Sequence, residues 1–241
     1  MTKQNLIHGI WFDSDGTLVD SLPAHVLFLN DLNGEFHLGL DLPSPEDREG
    51  MSRISSTPMR AFFLSAGFPE SEVDRFLDIY KTIFPTDPKY ASKPFRGVGK
   101  LLQYLKKSRV SPVGIITSNY KENVERDLGR NMRFFKVGFD KEYLDKHCGG
   151  DKGIALNHRL LTFDNPPPYP YFYVGDTEKD YQAAQFSGMS FIGVSYGWEI
   201  KSDDQRFPVA RSPRELTDLI RRANEIGFKR QKPTGRLVIY E

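Results

Sequence analysis

The sequence predicts an α/β fold in which a mostly parallel sheet carries helices on both faces. Short apolar segments alternate along the chain with amphipathic helical stretches, which is the pattern of parallel strands joined by helical crossovers. Two of the apolar segments end in carboxylates, and open α/β sheets bind their ligands at the carboxyl ends of the strands. The predicted strands are residues 7–13, 112–117, 136–139, 171–175 and 191–194.

A long segment after the first predicted strand, residues 21–94, does not follow this alternation. Its apolar residues recur at helical spacing, and breaks rich in proline and glycine separate the stretches. A helical insert at this position can close over a site at the end of the first strand and exclude water. We therefore expect an α/β core formed by residues 1–20 and 95–225, with residues 21–94 as a helical cap.

Composition argues against several classes of function. The 241 residues include 33 Lys and Arg and 32 Asp and Glu, a formal net charge of +1, so the overall charge does not favour nucleic acid or a membrane as a partner. The single cysteine, Cys148, excludes an intramolecular disulfide. No apolar run has the length of a signal peptide or a membrane span. We expect a cytoplasmic protein, monomeric or homodimeric.

The C-terminal residues 226–241 form a tail of unknown role. The region from Arg221 onward is basic, and the chain ends in the apolar stretch 237–240. We expect a solvated extension or an added edge strand, and a basic tail that binds a partner is the alternative.

The strongest functional signal is the stretch 12–20, which contains Asp-Ser-Asp-Gly-Thr after an apolar run. Asp13 and Asp15 lie at the predicted end of a buried strand, and the alternation of side chains places Ser14 on the opposite face. Two carboxylates this close repel each other and are costly to bury without a cation. The stretch therefore predicts a divalent metal site. Asp15 and Gly16 alone would also fit an ordinary acidic turn.

A second predicted strand repeats this ending with Gly175 and Asp176. Asp180 follows about one helical turn later, so the carboxylates of Asp176 and Asp180 can face the same place. An acidic helix N-terminus is the alternative interpretation, but it does not explain why two strands end in the same way.

Two further segments offer groups that suit a phosphate. Thr117, Ser118 and Asn119 follow a β-branched run and supply a hydroxyl, backbone N–H groups and an amide. The same three residues would also fit an ordinary helix N-cap. Lys152 precedes a predicted helix, and a lysine there can neutralise both an attacking carboxylate and a phosphoryl group.

These four segments, in this order, resemble the motifs of the haloacid dehalogenase (HAD) superfamily, in its branch of phosphoglycolate phosphatases and β-phosphoglucomutase. The resemblance covers the chain to about residue 220. It implies a Rossmann-like core with a helical cap after the first strand, and a phosphoric monoester hydrolase. In the third motif the family usually has Gly-Lys-Pro, whereas this chain has Asp-Lys-Gly. The spacing to the fourth motif favours Lys152 over Lys141 and Lys146.

The resemblance also implies roles for individual residues. Asp13 is expected to be the nucleophile that attacks phosphorus, and Asp15 the general acid and base. Mg²⁺ is expected to bind Asp13, the backbone carbonyl of Asp15 and Asp176, with Asp180 as a more distant or water-mediated ligand. The residues expected to bind the substrate phosphate are Gly16, Thr17, Thr117, Ser118, Asn119 and Lys152.

The implied activity is hydrolysis of a small phosphorylated metabolite, of the phosphoglycolate or sugar-phosphate type, through an aspartyl-phosphate. A phosphomutase of the β-phosphoglucomutase type remains an alternative, and a catalytically silent binding protein is a further one. Asp15 argues against a dehalogenase, because a halide leaves without a proton. The segment 50–63 contains no lysine for the Schiff base of a phosphonatase.

Several residues of the predicted cap are candidates for contact with substrate. Arg48, Arg53 and Arg60 could bind a carboxylate or a second phosphate, although each also fits a surface helix position. His25 matches a position that is often histidine in relatives and could approach the phosphate, and a packing role is the alternative.

Overall fold

The computed structural model describes residues 7–161 and 171–226, and it has the predicted α/β architecture. The strands in these ranges are β1 (Gly9–Phe12), β2 (Val19–Asp20), β3 (Lys93–Pro94), β4 (Val113–Ile116), β5 (Val137–Phe139), β6 (Tyr171–Gly175), β7 (Ser190–Val194) and β8 (Val209–Ala210). Six of them form one sheet in the order β5-β4-β1-β6-β7-β8, and every neighbouring pair is parallel. The predicted mostly parallel sheet is confirmed.

Helices cover both faces of this sheet, as predicted. The α-helices of the described residues are α1 (Leu22–Glu35), α2 (Arg48–Ile54), α3 (Met59–Ser65), α4 (Val73–Ile83), α5 (Val98–Lys107), α6 (Lys121–Leu128), α7 (Lys141–Cys148), α8 (Lys152–Leu161), α9 (Glu178–Ser187) and α10 (Pro213–Ile226). Helices α5, α6 and α10 contribute to the apolar cluster on one face, and α7, α8 and α9 to the cluster on the other. None of the described helices is long and apolar enough to span a membrane.

The central strand β1 joins the two layers of the core. Ile10 and Phe12 lie in the cluster with α5 and α10, whereas Trp11 lies in the cluster with α8 and α9. Side chains alternate between the two faces of a strand, and all three residues are fully buried. Because both faces are covered, β1 is apolar throughout rather than alternately polar.

The predicted helical insert follows β1 and has its own apolar cluster. Helices α1 to α4 lie between β2 and β3, and their buried residues include Phe28, Phe62 and Phe76. β2 and β3 pair antiparallel, so the chain enters and leaves the insert at adjacent positions. Trp198, which comes from a loop after β7, also packs in this cluster. The domain limits given above stay predictions, and residues 227–241 of the predicted tail lie outside the described residues.

The structure adds short elements that the sequence pattern did not indicate. The five predicted strands are present, and their ends differ from the predicted ones by at most two residues. The strands β2, β3 and β8 have only two residues each, which is too short for a periodic pattern. Helix α7 was also not predicted. Its start is capped by Asp140, whose carboxylate accepts a hydrogen bond from the backbone N–H of Tyr143.

Ile10→Ala should destabilise the protein strongly, because Ile10 is fully buried at the centre of the sheet. Loss of a large aliphatic side chain at such a site costs about 2–5 kcal/mol. Leu64→Ala is the matched control, because Leu64 is 39% exposed and exposed substitutions change stability by about 0.5 kcal/mol or less. Urea unfolding would measure both, and equal losses in the two variants would contradict the described core.

Candidate active site

Three neighbouring strands of the sheet end at one cavity of about 840 Å³. Asp13 follows β1, Thr117 follows β4 and Asp176 follows β6, and all three line the cavity. β1 pairs with β4 on one side and with β6 on the other. The order of the strands therefore reverses at β1, and open α/β sheets bind their ligands at such a reversal, beyond the carboxyl ends of the strands. The helical insert forms the opposite wall of the cavity, with side chains from α1, α3 and α4.

A buried cluster of carboxylates lies at the base of the cavity. Asp13, Asp176 and Asp180 each offer an oxygen, and these oxygens lie within 4.8 Å of one another. Burial raises the pKa of Asp13 to about 7 and the pKa of Asp176 well above its usual range. When all three are ionised, these carboxylates exceed the single positive charge of Lys152, which contacts Asp13 and Asp180. This set of hard oxygen donors fits a divalent cation.

Lys152 is the cation that the structure brings into the cluster. Its Nζ lies 2.9 Å from Asp13 Oδ2 and 2.9 Å from Asp180 Oδ1. Burial alone would lower the pKa of Lys152, but the two carboxylates raise it. The competing Lys141 instead pairs with Asp145 at 2.8 Å. The other competing lysine, at position 146, is exposed on α7.

Gly153, which replaces the proline of the usual third motif, lies at a close contact between helices. Its position in α8 faces α9, and a Cβ there would lie 3.0 Å from Asp151 Oδ1 and 3.1 Å from Phe186. A larger residue would therefore push against α9. Glycine at position 153 therefore allows α8 to pack closely on α9. Lys152 still contacts Asp13 and Asp180 although the proline of the motif is absent.

Asp180 is held by four donors. Its Oδ1 accepts hydrogen bonds from Lys152 Nζ and the Tyr173 hydroxyl, and its Oδ2 accepts from the backbone N–H and hydroxyl of Thr177. Burial alone would raise the pKa of Asp180, but Lys152 and these hydrogen bonds lower it. Thr177 and Asp180 form a capping box at the start of α9. Asp180 is therefore a fixed anion that orients Lys152.

Asp176 is positioned by the loop of the first motif and by a second loop. Thr17 Oγ1 donates to Asp176 Oδ1 at 3.0 Å, and the backbone N–H of Trp198 donates to Oδ2 at 2.8 Å. Gly16 has a φ of +72°, and a Cβ there would lie 2.0 Å from Asp176 Oδ2. Only glycine fits this position, because any side chain would overlap the carboxylate.

Gly16 and Thr17 were predicted to bind phosphate, and the structure gives their donors other partners. The N–H of Gly16 donates to the carbonyl of Val19, and the N–H of Thr17 donates to the carbonyl of Ser14. The Thr17 hydroxyl donates to Asp176. These hydrogen bonds shape the loop and hold the Asp176 carboxylate, and a role of Gly16 and Thr17 in binding phosphate stays a prediction.

Asp15 contacts the segment that follows β4. The Asn119 side-chain amide donates to Asp15 Oδ2 at 3.1 Å, while Asn119 Oδ1 accepts from Asn123. Burial raises the pKa of Asp15, and the hydrogen bond from Asn119 partly offsets this rise. The alternative of an ordinary N-cap is wrong, because α6 begins at Lys121 after Tyr120 and has no side-chain cap.

Thr117 and Ser118 complete this side of the cavity. Thr117 is buried, and its Oγ1 accepts a hydrogen bond from the backbone N–H of Asn119. Ser118 is exposed and lines the cavity. The structure thus brings both predicted residues to the site.

The candidate specificity residues of the insert have mixed positions. His25 lines the cavity and stacks on Phe84 with ring centroids 4.4 Å apart. Burial lowers the pKa of His25 to about 3, so its ring is neutral. Arg48 pairs with Asp20 and Arg60 pairs with Asp74, both at exposed positions. These two arginines and the exposed Arg53 are not among the described residues that line the cavity.

A loop after β7 connects the insert to the acidic cluster. The backbone N–H of Trp198 donates to Asp176 Oδ2, and the backbone carbonyl of Trp198 accepts a hydrogen bond from Ser55 Oγ at 2.8 Å. Glu199 accepts from the Thr57 hydroxyl through Oε1 and from the backbone N–H of Glu178 through Oε2. The same loop therefore touches helix-flanking residues of the insert and a carboxylate of the site.

Sequence reasoning missed Tyr173, Asn123 and Trp198. Tyr173 faces the site from two residues before Gly175, and strand alternation could have indicated it. Asn123 lies one helical turn after Asn119, which is also a detectable spacing. Trp198 lies in an irregular loop with no periodicity, so no sequence signal placed it near Asp176.

The sequence pattern of a family described as haloacid dehalogenase-like hydrolase matches residues 10–194. The chain belongs to this family. A phosphoglycolate phosphatase from Synechococcus elongatus is 30% identical over 211 residues, which cover 86% of this chain and 91% of that protein. An N-acetylmuramic acid 6-phosphate phosphatase from Pseudomonas aeruginosa is 25% identical over 235 residues, which cover 92% of this chain and 98% of that protein.

Solved structures are similar to most of this chain. A haloacid dehalogenase-like hydrolase from Streptococcus pneumoniae superimposes with a TM-score of 0.70 and 21% identity, covering 88% of this chain and 98% of that one. The predicted family, the fold and the enzyme class, a phosphoric monoester hydrolase, are confirmed.

Lys152→Met should destabilise the protein in metal-free buffer at neutral pH, because Asp13 and Asp180 would lose their cation. Removing one partner of a buried ion pair costs about 3–5 kcal/mol. The matched control is Lys141→Met, since Lys141 forms a more exposed pair with Asp145 and such pairs contribute about 1 kcal/mol or less. Urea unfolding would measure both variants. Equal stability of the two variants would contradict the described charge balance.

Proposed function

We propose that the chain is a Mg²⁺-dependent phosphatase that hydrolyses a small phosphorylated metabolite through an aspartyl-phosphate on Asp13. The observation that carries this proposal is the contact between Asp13 Oδ2 and Lys152 at the base of a cavity, next to two more buried carboxylates. One lysine cannot balance these acids, so the site suits both a divalent cation and a phosphate that the cation and lysine share.

Asp13, Asp176 and the backbone carbonyl of Asp15 would hold the cation, with Asp180 further away because Lys152, Tyr173 and Thr177 occupy its oxygens. Mg²⁺ prefers such hard oxygen donors and retains water ligands. When bound, it supplies positive charge that offsets the repulsion between the nucleophile and an anionic phosphate.

Asp13 is placed to attack phosphorus. Its Oδ1 accepts the backbone N–H of Ser14 at 2.7 Å, and its Oδ2 contacts Lys152, so its orientation is fixed before substrate binds. In the first step a bond forms from an Asp13 oxygen to phosphorus as the ester P–O bond breaks. In the second step water attacks phosphorus, the bond to Asp13 breaks, and inorganic phosphate leaves.

Asp15 is placed to move the proton in both steps. Burial raises its pKa, which favours the protonated form that a general acid needs. The amide of Asn119 donates to Oδ2 of Asp15, and Asp15 lines the cavity in which the substrate would bind. Asp15 gives its proton to the leaving alkoxide and then takes a proton from the attacking water.

Lys152, Thr117, Ser118 and Asn119 border the space where the phosphoryl oxygens would lie. Lys152 contributes a positive charge, and the segment after β4 contributes neutral donors. Two of the relatives hydrolyse phosphoglycolate and N-acetylmuramic acid 6-phosphate according to their names. These names support a small phosphorylated metabolite of the phosphoglycolate or sugar-phosphate type as the substrate.

Asp13→Asn should abolish phosphate release, because the amide is a far poorer nucleophile than the carboxylate. We expect a loss of at least about 10³-fold in kcat, measured as inorganic phosphate released from a panel of phosphate monoesters with Mg²⁺. Chelation of the metal by EDTA should cause a loss of similar size in the wild type. The matched control is Asp145→Asn, an acid-to-amide change at an exposed position, and it should retain activity.

Release that persists in Asp13→Asn, or in EDTA, would contradict the proposal. Wild-type protein that releases no phosphate but isomerises a sugar phosphate when primed with a bisphosphate would support the mutase alternative. A protein that does neither would support the silent binding protein.

Asp15→Asn should separate the two chemical steps. Release of alcohol in the first turnover should fall by about 10²-fold or more for an alkyl phosphate, which needs a proton donor. The first turnover of p-nitrophenyl phosphate should be much less affected, because nitrophenolate leaves without a proton. Rapid-quench measurement of the first turnover tests this difference, and equal losses for the two substrates would contradict a general-acid role.

A further inference from the structure

We propose that this cavity selects phosphate monoesters whose alcohol portion is uncharged and carries a ring, as in nucleoside and sugar phosphates, over short phosphorylated acids such as phosphoglycolate. This inference rests on the proposed phosphatase function, because Asp13 must accept the phosphoryl group. It concerns the part of the substrate that lies beyond the phosphate.

The cavity is much larger than a phosphate requires. Its volume of about 840 Å³ lies in the range of roughly 300–1,000 Å³ that is typical of pockets for drug-sized ligands. The phosphate would lie at the base, against Lys152 and the segment after β4. The remaining space extends between the insert, through α3 and α4, and the core helix α9.

The wall that the insert presents to this space is aromatic. His25, Tyr80 and Phe84 line it and stack on one another, with Phe84 4.4 Å from His25 and 4.7 Å from Tyr80 between ring centroids. Trp198 adds a fourth ring, 4.9 Å from His25. His25 is neutral because burial holds its pKa far below the physiological range. The wall that these rings form is thus aromatic and uncharged.

Two further aromatic side chains lie at the rim of the cavity and are exposed. Tyr120 is 42% exposed and Phe186 is 64% exposed, and both line the cavity. Aromatic side chains in contact with a planar group or the apolar face of a sugar ring gain favourable stacking energy. Gln182, also exposed at this rim, offers an amide to hydroxyl or ring-edge groups.

The described part of the insert offers no anchored cation for a second acidic group inside the cavity. Lys81 is its one cation among the described lining residues, and it already pairs with Asp78 at 3.0 Å and is largely exposed. The core side adds Lys141, paired with Asp145, and the exposed Lys179 at the rim. A carboxylate next to the phosphate would have to compete with Asp78 or Asp145 for a lysine that is already paired, or reach Lys179 at the rim, so part of the cost of its desolvation would not be recovered.

The test compares kcat/KM of the full chain with Mg²⁺ for four monoesters. These are a ribonucleoside 5′-monophosphate, a hexose 6-phosphate, phosphoglycolate and p-nitrophenyl phosphate. We expect one of the two ring-bearing natural substrates to exceed phosphoglycolate by about tenfold or more, which corresponds to the desolvation of an unpaired polar group. The substrate with the higher kcat/KM shows whether the cavity prefers nucleoside phosphates or sugar phosphates.

Phosphoglycolate at or above both ring-bearing substrates would overturn this inference and leave the phosphatase function intact. No release from any of the four, p-nitrophenyl phosphate included, would contradict the phosphatase function itself, and the inference would fall with it.

Variants at the rim test the contact directly. Tyr120→Ala and Phe186→Ala should each lower the ratio of kcat/KM for the ring-bearing substrate to that for phosphoglycolate by about 2–10-fold, the size of one aromatic contact. The control is Leu64→Ala, which removes an apolar side chain that is 39% exposed and does not line the cavity, and it should leave the ratio unchanged. An unchanged ratio in both rim variants would overturn the inference.

Discussion

The balance of charge around Lys152 is the constraint on which the rest of the site depends. Its ammonium touches Asp13 and Asp180, and Asp176 lies in the same buried cluster. Three acids and one lysine leave negative charge that is costly away from water. The cost explains both features of the proposed chemistry: a cation would neutralise the excess of negative charge, and positive charge next to Asp13 favours the ionised carboxylate that a nucleophile needs. Both carboxylate oxygens of Asp180 accept hydrogen bonds, so Asp180 is held in place and positions the ammonium of Lys152.

The second organising feature is the loop after β7, which joins the acidic cluster to the helical insert. The backbone of Trp198 holds Asp176, while its ring packs with Phe62 of the insert at 5.6 Å. Glu199 bonds to Thr57 of the insert and to the first residue of α9. Through these contacts the same loop supports the aromatic wall and the Asp176 carboxylate. The wall that would contact the substrate body is thereby placed relative to the carboxylates at the base.

Much of this arrangement could be predicted from the sequence, because strand ends and motif spacing determine it. Asp13 and Asp176 follow apolar strands, and parallel strands bring their carboxyl ends to one edge. Among the lysines of this region, Lys152 could be selected only by its spacing to the fourth motif. Its contact with Asp13 Oδ2 forms only when the chain folds, so the sequence alone did not indicate it. The phosphate contact of Gly16 stays a prediction, and the sequence did not indicate that its backbone N–H donates to the carbonyl of Val19. Trp198 could not be predicted, because a backbone donor in an irregular loop leaves no pattern in side-chain identity.

The most direct test of the central claim is to locate the phosphoryl group during turnover. Protein mixed with Mg²⁺ and p-nitrophenyl phosphate, whose leaving group needs no proton in the first step, would be quenched in acid within the first turnover and examined by peptide mass spectrometry. Asp15→Asn protein would be included to slow the second step. The account predicts a phosphoryl adduct on Asp13, enriched in the variant and absent from Asp13→Asn. An adduct on another residue, or turnover with no adduct in the Asp15→Asn protein, would contradict it.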